Sequence, residues 1–247
     1  MKKLTTCVAL VVFLSILTFA AGCTTGDTVT GSGELVIREV EYSDFTKIQI
    51  NEFSRKSSVF EVDIKEAASF TVNITIDNNL IDYLDIEQKG DTLHIGLEHD
   101  NEYRDSTMEI TVTMPELTGL DLRGGSYADI MGFKSTKPLD IDLSGGSHLQ
   151  GDIESGDASF DLSGGSHVTL DGSGQDVTID ASDGSHIDLA SFLVTNSTVD
   201  ASDGSHITVN LNGLLDVDAS GGSHVFYLGN PTLGDIHTSG GSEVIPK

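Results

Sequence analysis

The sequence has no tryptophan, two cysteines and four prolines in 247 residues, and only 13 basic residues stand against 39 acidic ones. Each shortage excludes something. Without tryptophan, and with aromatics at 6%, little is available for stacking sugar rings, which weighs against a polysaccharide-cleaving groove. Cys7 and Cys23 both lie in the first 23 residues, so residues 24–247 can form no disulfide and must hold their fold by packing and hydrogen bonds. A net charge of −26 repels phosphate backbones, which excludes nucleic acid as a partner and favours solubility, cations or basic surfaces. No nucleophile elbow, phosphate-binding loop or HExxH stands anywhere in the chain. Strong helix formers are sparse after Gly33, where Gly, Ser, Thr, Asp, Val and Ile alternate in short runs, so the chain reads as all-β.

The start of the chain reads as an address. Lys2 and Lys3 precede an uncharged apolar stretch from Val8 to Ala21, and Ala20, Ala21 and Gly22 run into Cys23. This is the layout of a secretory signal. It resembles a bacterial or archaeal lipoprotein signal, which makes Cys23 the lipidated first residue of the mature chain, although Ala20 stands where that pattern usually has leucine. The rival reading is an uncleaved anchor, since about 18 apolar residues also span a bilayer. Residues 24–33, "TTGDTVTGSG", lack apolar periodicity and read as a flexible tether.

What is abundant is a repeat. "DLSGGSH" occurs twice, and "DASDGSH" and "DASGGSH" follow it. The serine closing each glycine-rich turn falls at Ser126, Ser147, Ser166, Ser185, Ser205, Ser223 and Ser242, at spacings of 21, 19, 19, 20, 18 and 19 residues. A period near 20 residues marks a solenoid, in which no single coil buries its apolar face but a stack does. Six residues before the serine stand Leu120, Ile141, Phe160, Ile179, Val199, Val217 and Ile236, and four before it Leu122, Leu143, Leu162, Ala181, Ala201, Ala219 and Thr238. Two after it stand Ala128, Leu149, Val168, Ile187, Ile207, Val225 and Val244. Spacing by two within a strand puts these residues on one face, which is the expected core.

Immediately before each serine comes Gly125, Gly146, Gly165, Gly184, Gly204, Gly222 or Gly241, preceded by Gly or Asp. Such a pair is what a sharp bend at positive φ demands, so these glycines are assigned as corners. Each serine shares the parity of the apolar residue two places on, so it is expected to point inward and to satisfy its hydroxyl on turn carbonyls or neighbouring hydroxyls. The fold expected is a single-stranded parallel β-solenoid (β-helix) of about 19–20 residues per coil, with right-handed connections as parallel strands favour. Residues 1–23 form the signal, 24–33 the tether and 34–247 one domain. Within that domain, 34–117 is a broader, irregular section covering one end of the regular coils at 118–247. Its alternating segments include "FTKIQI", "SVFEVDI", "FTVNITI", "DTLHIGL" and "MEITVTM".

"GSGELVIREVEYSDFTKIQI", "IDNNLIDYLDIEQKGDTLHIGL" and "MEITVTMPELTGLDLRGGS", followed by coils with small-residue turns, together resemble the putative auto-transporter adhesin, head GIN domain family over Gly31 to Lys247. That resemblance implies an exported, often lipid-anchored, single-sheeted β-solenoid of unestablished biochemical role. It carries over no catalytic residues.

Any chemistry must sit in the outward columns. One residue after the serine come His148, His167, His186, His206 and His224, a ladder able to share an ion if neutral imidazoles converge. Five before it come Asp121, Asp142, Asp161, Asp180, Asp200 and Asp218, stacked like charges that high dielectric tolerates or cations relieve. Both are also what copying a coil produces on a solvated face. Adjacent aspartates such as Asp142, Asp161 and Asp180 stand near the roughly 5 Å spacing of a retaining glycosidase, but a catalyst needs an acid and a base in unlike environments, and these are copies. The "GGxGxD" period of a calcium roll is missing. The reading is therefore a non-catalytic, cell-envelope, lipid-anchored binding, adhesin-like or structural module, with an envelope or extracellular protein or glycan as partner. No cofactor is called for beyond a possible divalent metal. A cation-binding protein using the His and Asp ladders is the second reading, and a polysaccharide-active enzyme the third.

Overall fold

The computed structural model describes residues 27–51, 60–98 and 101–247. The apolar start of the chain and Cys23 lie outside them. The described chain is a parallel β-solenoid of about six turns. Each coil lays one strand in each of two sheets, of ten and eleven strands, that share a single apolar core. The single-sheeted layer implied by family resemblance is thus corrected to a pair. The physical reason lies in the corner: two successive left-handed residues turn the chain so sharply that the strand after each serine must join a different sheet from the strand before it.

Strands Gly119–Leu122, Leu139–Leu143, Ala158–Leu162, Asp176–Ala181, Asn196–Ala201, Leu214–Ala219 and Thr232–Thr238 stack in parallel in one sheet. Tyr127–Lys134, His148–Glu154, His167–Ser173, His186–Val194, His206–Leu211, His224–Gly229 and Glu243–Pro246 stack in the other. The pairing keeps like on like: Leu143 faces Leu162, Asp142 faces Asp161, His148 faces His167. The inward columns are those expected from the spacing, with Leu120, Ile141, Phe160, Ile179, Val199 and Val217 all buried on one sheet and Ala128, Leu149, Val168, Ile187, Ile207 and Val225 on the other. The last coil departs from the expectation. Ile236 and Val244 are only partly buried and Thr238 is exposed, because no described strand stacks beyond them.

The corners are built as their composition demands. Gly184 has φ of 72° and the preceding Asp183 a φ of 55°, two left-handed residues in succession. The serine then closes the bend from inside. Ser126, Ser147, Ser166, Ser185, Ser205 and Ser223 are all at 0% exposure, and each Oγ donates to the carbonyl three residues back at 2.7–2.9 Å. A buried hydroxyl is thereby satisfied without leaving its own coil.

The irregular section covers the opposite end. Lys47–Asn51 and Phe60–Glu66 extend the two parallel stacks, after which the sheets finish in antiparallel strands, Leu35–Val40 beside Thr71–Asp77 and Leu84–Lys89 beside Thr92–Leu97. Phe45, Phe60 and Tyr103 fill the core there. The stretch expected to be a free tether is partly structured: Thr28–Thr30 pairs in parallel with Glu102–Arg104. The cause is Asp77, 1% exposed, whose carboxylate accepts from the backbone N–H of Gly33 at 2.6 Å and of Thr107 at 2.8 Å.

Two stability predictions follow the packing. A side chain at Gly184 would meet nothing within 4 Å, so Gly184→Val costs only backbone strain, on the order of 1–3 kcal/mol, whereas Thr169→Val on the exposed face is nearly silent. Equal urea midpoints for the two would refute the corner assignment. Ser197 sits in the inward column between Val177 and Leu215, and its Oγ is the one buried side-chain polar atom without a partner among the described residues. Ser197→Ala should therefore stabilise the protein by about 1 kcal/mol, since an unpaired buried hydroxyl costs about 1–3 kcal/mol. A lower thermal midpoint for this variant would show that the hydroxyl contributes to packing.

Candidate functional site

The outward face of each sheet carries one ladder, and the strand register decides its geometry. Asp121, Asp142, Asp161, Asp180, Asp200 and Asp218 pair in series on one sheet, with His237 in the next place. Two residues earlier on the same face run Asp140, Ser159, Thr178, Thr198 and Asp216. Sequence reasoning overlooked this second column; "DID", "TID", "TVD" and "DVD" at fixed spacing were the signal for it. Between the two columns lies a shallow depression of about 380 Å³ lined by Thr178, Asp180, Asp200, Asp216, Asp218 and His237, among others.

The carboxylates do not sit at ease. Burial, followed by the charges of Asp121 and Asp161, raises the Asp142 pKa above the ordinary range, with Arg123 working against the rise. Arg123 is itself committed to Asp121, through Nε at 2.9 Å and an Nη at 2.7 Å. Burial, then Asp180 and Asp218, raises Asp200 likewise.

On the other sheet His148, His167, His186, His206 and His224 stack in register. Tyr127 lies against His148 at one end and Phe226 against His224 at the other, at centroid distances of 6.4 and 6.3 Å. Burial, then the neighbouring His167 and His206, lowers the His186 pKa and keeps its ring neutral further into acid. The corner glycines Gly125, Gly146, Gly165, Gly184, Gly204, Gly222 and Gly241 stand between the two ladders as structural elements, all at positive φ.

The turns back at the far end of the coils are less uniform: Ser135 and Ser155 stand in two of them, and amide and carboxylate side chains link neighbouring coils. Asn196 donates to Asp176 at 2.8 Å and accepts from the Leu214 N–H at 2.8 Å, and Asp216 accepts from the Asp235 N–H at 2.8 Å. Asn196 and Asp176 also escaped the sequence reading, because no shared tripeptide marks them.

Fold and faces together define a class: parallel β-solenoids whose outer surfaces carry like residues in register. The chain belongs to the family described as putative auto-transporter adhesin, head GIN domain, whose model matches residues 44–231. Among solved structures it is similar to a putative adhesin from Bacteroides fragilis, at 20% identity and a TM-score of 0.78, covering 89% of this chain and all of that one. It is also similar to a putative lipid binding protein from Parabacteroides distasonis (19% identity, TM-score 0.67, 90% of this chain and all of that one) and a putative adhesin from Parabacteroides merdae (15% identity, TM-score 0.67, with the same coverage). A search of the curated proteins found no match.

Asp200 and His186 respond to pH in opposite senses. A raised carboxylate pKa means that the native state binds protons more readily than the unfolded chain, so the repulsion costs stability at neutral pH and fades as pH falls through the native pKa. A lowered histidine pKa means the reverse, and stability falls as pH drops below the unfolded value, near 6.5. Asp200→Asn is therefore expected to stabilise at pH 7 by a few tenths of a kcal/mol, the low end of the roughly 0.2–1 kcal/mol cross-strand scale, because solvent screens this exposed group. The gain should vanish in urea melts near pH 4. A variant less stable than the parent at pH 7 would contradict ladder repulsion.

Proposed function

We propose that this protein is a non-catalytic, adhesin-like module of the cell envelope, exported and held to a membrane by lipid on Cys23. Its ladder-bearing faces present a repeated surface to an envelope or extracellular protein or glycan. One observation carries the reading: outward residues on both sheets are copies in register, and copies supply many equivalent contacts where a catalyst needs unlike ones. Family membership and similarity to proteins described as adhesins support the same reading. The basic start, apolar run and small residues before Cys23 support the anchor.

Two measurements test it. Cys23→Ser should leave an unprocessed precursor and abolish acyl labelling; normal maturation and membrane partitioning without the thiol would defeat the anchor. Cells displaying the chain should bind one class of extracellular matrix protein or glycan in a screen. Asp161→Asn/Asp180→Asn/Asp200→Asn or the matching His→Gln triple should weaken that binding without lowering the thermal midpoint. Catalytic turnover of a glycan by the purified protein would replace this function with an enzymatic one.

A further inference from the structure

Three features set the histidine column apart from a solvated decoration. Its rings face one another in series, with centroids 4.6 Å apart for His148 and His167, 5.8 Å for His167 and His186, 6.1 Å for His186 and His206, and 5.1 Å for His206 and His224. Next, Nδ1 of His148 lies 3.1 Å from the Gly146 carbonyl oxygen, and Nδ1 of His206 lies 3.0 Å from that of Gly204. A carbonyl only accepts, so Nδ1 carries the proton and the lone pair of the neutral ring is on Nε2. Metal-ligating histidines are held in this manner, one nitrogen donating to the protein and the other left for the ion. Finally, the surroundings attract cations. Glu61 and Asp129 act on Tyr127 at one end, Glu243 Oε2 lies 3.9 Å from His224 Nδ1 at the other, and Asp188 acts on His186 in the middle, with Lys247 as an opposing cation.

We propose that the outer edge of this column is a docking strip for a divalent transition-metal ion of the copper, nickel or zinc kind, held by Nε2 atoms of histidines on successive coils. Imidazole suits these ions, whereas the carboxylates of the opposite face suit calcium or magnesium. Among the described residues no three His, Cys, Asp or Glu side chains converge on one point. Each ion therefore takes two histidines and keeps water in its remaining positions, which makes the binding open and exchangeable. His148 and His167 form the tightest pair, with ring planes only 6° apart. Parallel rings aim their lone pairs alike and not at each other, but the outer torsion of histidine is broad. A small counter-rotation of two exposed rings brings both lone pairs onto one ion. This inference does not depend on the adhesin reading.

The test is titration of Cu²⁺ into the purified full-length chain, followed by calorimetry and electron paramagnetic resonance. Expected are micromolar binding and nitrogen splitting from imidazole. The tightest site should weaken at least about tenfold in His148→Gln/His167→Gln, since even outer-shell partners of a metal site are worth 10–100-fold, and stay unchanged in Asp161→Asn/Asp180→Asn. His167→Gln, which interrupts two neighbouring pairs, should lower the bound stoichiometry more than His224→Gln, which interrupts one. Melting curves verify that each variant is folded. Wild-type affinity in the histidine double variant, loss of binding in the aspartate variant, or a spectrum without nitrogen splitting would each overturn the proposal.

Discussion

The structure depends on one local arrangement: two left-handed residues followed by a serine that turns its hydroxyl back onto the carbonyl three residues earlier. The bend is tight enough to pass the chain directly from one sheet to the other, and the hydroxyl satisfies the polar atom that such a bend would otherwise bury unpaired. Because every coil uses the same bend, the strands on either side begin at the same height in the stack. Register then follows without further instruction, and each position repeats directly above its predecessor. Aspartate at Asp183 and Asp203 shows how strict the demand is, since only residues tolerant of positive φ occupy that place.

Register imposes like on like, which is favourable inside and costly outside. In the core it lays Ile179 on Phe160 and Ala181 on Leu162, so apolar contact runs without a break along the stack. On the surface it lays aspartate on aspartate. Parallel pairing offers no antiparallel partner of opposite sign, so the molecule meets the repulsion by other means: Arg123 caps the Asp121 end, His237 takes the place after Asp218, and water screens the rest. On the second sheet the column is histidine, and burial together with the neighbouring His167 and His206 disfavours charging the His186 ring within the stack.

Those features that recur at a fixed spacing were legible in the sequence. The corner glycines, the serines of the first six corners and the apolar columns short of the last coil lie where the spacing implied, and both ladders stack in register. Features that do not repeat were hidden. The pairing of Thr28–Thr30 with Glu102–Arg104 depends on one buried carboxylate, Asp77, separated from its partners by 30 to 44 residues. The return turns use Asn196 and Asp176, each in a different local context, so no phrase announces them. The exposure of Ile236 and Val244 reflects a missing neighbour, and a neighbour's absence leaves no mark on the residue itself. Of the candidate site, residue identity and order were readable, but ring stacking and the Nδ1 contacts of His148 and His206 required coordinates, because they depend on side-chain torsions.

The binding role proposed above would draw on the repetition of the coil. Catalysis gains from a single site where neighbouring groups are pushed apart in pKa and geometry, and in-register copying works against that difference. Weak contact repeated at equal intervals instead gains from multiplicity: once one coil engages a repetitive partner, the next engages it at high effective concentration, and modest individual affinities combine. The same copying that makes Asp142 and Asp200 shift in the same direction for the same causes, burial and two flanking carboxylates, also makes them interchangeable to a ligand. In the proposed binding role the period of the backbone would set the period of the recognition surface, and the corner that fixes the one would fix the other.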